Sequence, residues 1–386
     1  MKLLNMPSSL NLKLGTNTCP LCKKKSLKVS EYSLKCFSPS CLLNNNNTFE
    51  FLLSELGYSI KDIKKLNNKN HNAADFYERI TLYNKVFDLS KEMLVKYQDI
   101  SLTFLESRGF VNVLNSQAIG FLPEDKNILR KHFNTSLLEK HGLVINNFEP
   151  FSNRIIFPVY DLQNRLIHFN ARSLEKEAYL RWMSSPCCDV VSPINNYLFN
   201  TDKFNTNKTV FITEGVSDGL SLLEIGCTNV FSSFGLEPRL EAYKNIWENT
   251  TKVVVIYDND IYPENERLAG QYKSWSRIIL HLCNLKLNHK HLEIIAVVPP
   301  KHKDIKDLND WLVQHQLNFS TFKEYYQQSP SLEKFCFDYF TRNNLPMPRC
   351  FINLLASTNN SLLNDLHEYI GKMDVNKLTS YLLNLS

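Results

Sequence analysis

Val210-Phe211-Ile212-Thr213-Glu214-Gly215 and Val253-Val254-Val255-Ile256-Tyr257-Asp258-Asn259-Asp260 bracket the stretch Thr209–Asp260, whose reading decides the fold. Each opens as a short, β-branched apolar run without alternation, the pattern of a parallel strand buried on both faces. Each ends in carboxylates: Glu214, then Asp218, after the first run, and Asp258 with Asp260 after the second. Parallel strands of an open α/β sheet deliver their carboxyl ends to one edge, where such sheets place their chemistry. Acids gathered there repel one another unless a divalent cation holds them. The stretch predicts a metal-dependent phosphoryl-transfer site.

Around it the chain alternates strand and helix with short connections. A helix is expected over Ser217 to Ile225, a strand at Val230-Phe231, and a helix opened by Pro238 and running to about Asn249. After the Lys252 to Tyr257 strand come a long helix, Glu264 to Leu285, and a fourth strand, Leu292 to Val298. This is a doubly wound unit with right-handed crossovers. Lys306-Asp307-Leu308-Asn309-Asp310 adds acids beyond the fourth strand, and residues from about Ser320 to Ser386 read as short amphipathic helices. There is no Gly-Lys-Ser/Thr triplet, so a Walker-type ATP motor is not encoded.

The 386 residues exceed one core and predict two to four domains. No apolar run approaches the roughly 18–20 residues of a membrane span, and Met1–Pro7 lacks the features of a secretion signal. A cytoplasmic protein without membrane contact is expected. The net charge of +5 is compatible with nucleic-acid binding without demonstrating it. Glycine is scarce and asparagine abundant, as in Asn44–Asn47, which reads as compositional bias and not as a functional tract.

The sharpest local signal lies near the N-terminus. Cys19-Pro20-Leu21-Cys22 is a Cys-x2-Cys knuckle, and Cys36 and Cys41 form a wider pair thirteen residues later. Two close thiolate pairs suit one tetrahedral Zn²⁺, each turn aiming two sulfurs at a point; the bland alternative is four unrelated buried cysteines. Leu27 to Lys35 alternates like the hairpin of a zinc ribbon. Tyr32 and Phe37 are candidates for stacking on bases, or for packing the ribbon's own small core. The remaining cysteines are assigned no metal: Cys187-Cys188 adjoin without a second pair, and Cys227, Cys283, Cys336 and Cys350 read as core residues. His71, His168 and His302 are scattered and likewise assigned none.

Between these regions the polar residues 58–74 read as a linker. Helices are expected from Ala73 to about Asp99, from Ser101 to Arg108 with Gly109 as its stop, and from Lys126 to Lys140. Two strands, Arg154 to Tyr160 and Leu166 to Phe169, follow, with Arg154, Arg165, Arg172 and Arg181 recurring near strand ends. Such a row suits phosphate binding through the guanidinium fork, or is simply a solvated face.

The paired acidic motifs, 44 positions apart, resemble the Toprim domain shared by DnaG-type primases, type IA and II topoisomerases, RecR recombination mediators and some nucleases. Glu214 matches the family's first-strand glutamate and Asp258/Asp260 its Asp-x-Asp; Gly215, Asp218 and Ser233-Phe234-Gly235 also sit in place. Asp307 resembles the later acid of primase Toprim units. A four-cysteine ribbon ahead of this unit is the DnaG-type arrangement. Asn153 to Asp161, Arg172, Arg181-Trp182-Met183-Ser184-Ser185-Pro186 and Leu198-Phe199-Asn200 resemble the N-terminal half of the primase core. Where the family has glycines, this chain has Asn164, His168, Asn170 and Ala171. The similarity covers residues 16–312.

The resemblance implies a multi-domain α/β architecture. Its parts are a zinc ribbon (1–57), a linker (58–74), a mixed α+β basic subdomain (75–205), a Toprim catalytic unit (206–315) and a helical region (316–386), a candidate for helicase or replisome docking. It implies RNA primer synthesis from ribonucleoside triphosphates on single-stranded DNA, with a replicative helicase as partner. One structural Zn²⁺ on Cys19, Cys22, Cys36 and Cys41, and catalytic Mg²⁺ or Mn²⁺ on Glu214, Asp258, Asp260 and Asp307, are expected. Glu214, Asp258 and Asp260 would be catalytic; Arg154, Arg172, Arg181, Gly215 and Asp218 would bind nucleotide or DNA. A Toprim nuclease, and a non-catalytic single-strand-binding or recombination-mediator protein, are the rival readings.

Overall fold

The computed structural model describes residues 12–30, 33–38, 73–113, 119–175, 178–187, 191–205, 208–235, 238–259, 273–300, 304–343 and 347–358, with isolated positions besides. It divides into two compact units, residues 1–81 with 187–192, and residues 82–186 with 193–386. The expected linker, Tyr32, Asp260 and most of the expected helix start at Glu264 lie outside the described residues.

In the first unit, β1 (Gly15–Asn17), β2 (Leu27–Val29) and β3 (Leu34–Cys36) form an antiparallel meander. Leu27 pairs with Cys36 and Lys28 with Lys35, so Leu27, Val29 and Leu34 turn inward and the lysines outward. That inward set, with Leu43, Leu52 and the cysteines, is the ribbon's core. Helix α1 (Ala73–Lys96) carries the chain onward into α2 (Gln98–Ser107). Gly109 stops α2 at φ +74°, a left-handed position that a side chain resists.

The second unit holds two sheets. The first is antiparallel, in the order β4 (Gly120–Leu122), β5 (Arg154–Tyr160), β6 (Leu166–Ser173), β7 (Trp182–Ser184). The single helix expected over Lys126 to Lys140 is instead two, α3 (Ile128–His132) and α4 (Thr135–Lys140). Asn134 separates them: its side chain accepts the Leu137 N–H as a new N-cap, and competes with continuation of the first helix. The Glu149 carboxylate, its side chain buried, accepts the Leu129 and Arg130 N–H groups at the start of α3.

The other sheet runs β12–β11–β9–β10–β8, numbered as β8 (Leu198–Phe199), β9 (Thr209–Thr213), β10 (Val230–Ser233), β11 (Lys252–Ile256) and β12 (Glu293–Val297). The last four are mutually parallel and β8 is an antiparallel edge. Its helices are α5 (Val216–Glu224), α6 (Lys244–Glu248) and α7 (Lys273–Asn288). The helix expected from Pro238 is a 3-10 turn at Leu240–Tyr243 followed by the single turn and a half of α6. Val210, Ile212, Val253 and Val255 pack on one face with Trp247 and Trp275. Phe211, Val254, Ile256 and Val297 pack on the other with Trp311 and Phe322. Both faces are buried, which is why these strands show no polar alternation.

Helices α8 (Leu308–His315), α9 (Phe319–Gln328), α10 (Leu332–Arg342) and α11 (Arg349–Thr358) complete the unit. Those after residue 316 are not a separate body. Phe322 and Tyr326 lie on one face of the parallel sheet, and Phe335, Phe340, Phe351 and Leu355 on the other. Cys283, Cys336 and Cys350 sit in that second core, where hydrogen bonding among the cysteines, then burial, push the Cys283 and Cys350 thiols up, as inert core residues.

The asparagine bias has a conformational use. Of eight described non-glycine residues with positive φ, six are asparagine: Asn146, Asn147, Asn153, Asn164, Asn200 and Asn229. Asparagine is among the few side chains that visit the left-handed region readily, so a glycine-poor chain makes its turns with it. Asn164, at a position where the family has glycine, has φ 63° in the β5–β6 turn. There Asp161 Oδ1 accepts the Gln163 and Arg165 N–H groups.

Candidate active site

β9 and β11 lie side by side in register, with Thr213 opposite Ile256. The residues that follow each strand, Glu214 and Tyr257-Asp258, therefore emerge at the same edge. A hydroxyl cluster ties the strand ends together. Thr213 Oγ1 meets Ser232 Oγ at 2.8 Å, Ser233 Oγ meets the Tyr257 hydroxyl at 2.9 Å, and Ser233 donates to the Glu214 carbonyl at 3.2 Å. Helix α5 begins at Gly215 and presents Asp218 in its first turn, against a strand it approaches closely. A Cβ on Gly219 would stand 2.2 Å from Ser232 Oγ, and one on Gly215 3.1 Å from Asp218 Oδ2. Neither glycine is needed for its φ; both clear space.

Asp307 arrives from the opposite direction as the N-cap of α8, its Oδ1 accepting the Asp310 N–H at 2.8 Å. Asn309, buried one turn on, donates from Nδ2 to Ser221 Oγ and to the Arg108 carbonyl, fastening α8 to α5. The Asn259 N–H donates to the Lys306 carbonyl at 2.8 Å, and Trp275 Nε1 to the Asp258 carbonyl at 3.1 Å. Four elements, tied together by backbone and side-chain hydrogen bonds, thus set the position of four acids.

The electrostatics show the acids acting on one another. Burial first, then Asp307, Asp258 and Glu214 in turn, push the Asp218 carboxyl well above the usual carboxylate range, with the Asn309 N–H opposing. Asp218 Oδ1 is buried without a hydrogen-bond partner, an arrangement that costs free energy unless a cation or proton supplies the missing contact. Lys306 Nζ stands 3.6 Å from Asp258 Oδ2. Oxygen donors of this kind suit a divalent cation; among the described residues only the four cysteines lie close enough together to share one ion as they stand. Asp260 lies outside the described residues.

The arginines divide by exposure. Arg172 is half-buried, stacked over the Trp182 ring at 5.2 Å, and burial with Arg108 and Arg181 nearby pulls it down to about 10, against Asp307. It stays charged at neutral pH, facing the acidic edge. Arg181 is exposed. Arg154, expected to grip phosphate, is only 9% exposed. Its Nε donates to the Pro150 carbonyl and its Nη1 to the Arg181 carbonyl. Two carbonyls hold that guanidinium, tying it to the Arg181 segment. Arg165 is committed to Asp161 in the turn. Arg108 and Lys306 were missed as site residues; Lys306 was legible as the cation directly beside Asp307.

In the ribbon, the Sγ atoms of Cys19, Cys22, Cys36 and Cys41 all lie within 4.8 Å of one another. Cys19–Cys41 and Cys22–Cys36 are each 3.6 Å apart, close to the edge of a tetrahedron with Zn–S bonds of about 2.3 Å. The Lys24 N–H draws the Cys22 thiol down to about 6, while burial pushes Cys41 up to about 12. Holding all four as thiolates therefore requires a cation. The cluster fits a structural zinc site. Phe37 is 60% exposed, outside the ribbon core, with Lys35 Nζ 5.9 Å from its ring centre.

Residues 89–204 match the family described as the DNA primase catalytic core, N-terminal domain. The DNA primase of Legionella pneumophila is 24% identical over 310 residues, covering 76% of this chain and 50% of that protein. This chain is similar to DnaG-type primases. It spans about half the length of the curated primases it matches. A DnaG primase catalytic domain solved with single-stranded DNA superposes at a TM-score of 0.59 with 20% identity, over 74% of this chain and 92% of that one. The zinc-binding and RNA polymerase domains of the Aquifex aeolicus primase superpose at 0.57 with 18% identity, over 96% and 94%. The primase core fold is thus present. Among the described residues no helix is long and apolar enough to cross a membrane.

Proposed function

We propose that this chain synthesises short RNA primers from ribonucleoside triphosphates on a single-stranded DNA template, as a DNA-directed nucleotidyltransferase. The observation that carries the reading is the convergence of Glu214, Asp218, Asp258 and Asp307 at the carboxyl edge of a parallel sheet, in a DnaG-type chain. The parallel unit, about residues 206–315, is assigned as a Toprim catalytic domain. Residues 75–205 are the basic subdomain and 1–57 the DNA-binding ribbon. β8 extends the catalytic sheet from within the basic subdomain, and α9–α11 belong to its core. A replicative helicase is the partner that the family resemblance implies.

Glu214, Asp258 and Asp260 would hold Mg²⁺ or Mn²⁺, with Asp307 serving a second position and Asp218 supporting the set from beneath. The cation, when bound, would neutralise the triphosphate and lower the pKa of the attacking 3′-hydroxyl. This chain's own residues do the rest. Glu214 orients the cation or takes the proton. Arg172, braced on Trp182, and Arg181, braced by Arg154, bind phosphates of template or nucleotide through their guanidinium forks. Phe37 offers an exposed ring for a template base.

The test is incorporation of labelled ribonucleotides on single-stranded DNA with Mg²⁺ or Mn²⁺. The reading expects short oligoribonucleotides whose composition follows the template. Strand scission without incorporation would replace it with the nuclease reading. Template binding that survives Asp258→Ala, with no product from any variant, would favour a binding module.

A further inference from the structure

Among the described residues, Lys306 is a cation that already sits at the proposed metal centre. Its backbone is fixed at both polar groups: the carbonyl accepts the Asn259 N–H at 2.8 Å, and its N–H donates to Asp310 Oδ2 at 3.2 Å. Asn259 follows Asp258 and Asp310 belongs to the first turn of α8, so the two acid-bearing segments are joined at this residue. The side chain is not so constrained. It is 75% exposed, and its ammonium reaches 3.6 Å from Asp258 Oδ2 on a flexible stem. Asp258 acts on it most strongly, then Asp307 and Glu214. A divalent cation taken by Asp258 through Oδ2 would compete with the ammonium for that oxygen.

We propose that Lys306 is a resident counter-ion of this edge, competing with divalent metal for Asp258 and, when displaced, turning its charge toward the triphosphate. The proposal rests on the assignment of these acids as a metal centre. A compact point charge on four methylenes suits an exchangeable role. Its pinned backbone keeps it within reach of both positions.

The experiment titrates Mn²⁺ into the zinc-loaded full chain and reads free Mn²⁺ by electron paramagnetic resonance, for wild type, Lys306→Met, Lys306→Arg and Asp258→Asn. Lys306→Met is expected to bind Mn²⁺ roughly two- to fivefold more tightly, the scale of one exposed ion pair. Lys306→Arg should match wild type, and Asp258→Asn should bind at least about tenfold more weakly. In ribonucleotide incorporation, Lys306→Met should raise the KM for nucleotide despite its tighter metal. Equal or weaker Mn²⁺ binding by Lys306→Met, with Asp258→Asn still impaired, overturns the counter-ion role and leaves the metal centre standing. Tighter binding by Lys306→Arg as well also overturns it, since charge would not be the cause. No binding by wild type or Lys306→Met removes both assignments together.

Discussion

The chain contains two candidate metal centres built on opposite principles. The ribbon's four sulfurs come from two short turns and already lie within 4.8 Å of one another, in two pairs each 3.6 Å apart. The acids come from the ends of β9 and β11 and the starts of α5 and α8. Among the described residues they do not draw together as the cysteines do. A closed thiolate set is made to hold a metal permanently and to fold around it. An open carboxylate edge, with a lysine in residence and an arginine facing it, leaves room for substrate. Which site is structural and which chemical follows from how many chain segments must be assembled to make it.

Cys36→Ser should separate the two most sharply. The ribbon core is little more than Leu27, Val29, Leu34, Leu43 and Leu52 beside the cysteines, so most of its folding free energy, on the order of 10 kcal/mol, comes from zinc. The variant is expected to lose stoichiometric zinc and the ribbon's dispersed amide resonances, while the thermal transition of the second unit stays where it was. A ribbon that keeps its fold without zinc would break the contrast.

Asp218→Asn sharpens it from the other side. The folded carboxyl is raised above its unfolded value, so the folded state holds the proton to higher pH, and stability falls as pH climbs above the unfolded pKa of about 4. Removing the acid should raise the Tm of the divalent-free protein at neutral pH by about 3–6 °C, with the gain vanishing below about pH 4. Its Mn²⁺ affinity should fall. Thermal scans across pH, with and without Mn²⁺, check both; an unchanged Tm at neutral pH would deny Asp218 its buried, uncompensated role.

The smallest effect lies in the scaffold. The Glu224 carboxylate, at the end of α5, accepts the N–H groups of Val111, Asn112 and Val113. Glu224→Ala should cost about 1–2 kcal/mol in denaturant unfolding, without changing zinc content.

Much of this was legible in the sequence, for physical reasons. Strands buried on both faces leave unbroken apolar runs, and acids placed after them mark the sheet edge. Cysteine pairs declare themselves by spacing. What escaped was non-local. β8 is two residues long, too short for any periodicity to show. Arg154 reads like Arg172, and only burial against the Pro150 and Arg181 carbonyls distinguishes a brace from a phosphate ligand. Glu224 takes its meaning from a partner 113 positions away. The break at Asn134 carried a signal, a capping residue inside an otherwise helical pattern, that apolar spacing outweighed.

The central claim is that the acidic edge polymerises ribonucleotides. The most direct measurement gives the full chain a single-stranded DNA template, labelled ribonucleoside triphosphates and Mg²⁺ or Mn²⁺, beside Asp258→Ala. The account predicts template-dependent oligoribonucleotides from the wild type and a loss of at least about a hundredfold in the variant. Equal product from Asp258→Ala, or none from the wild type on any template, would contradict it.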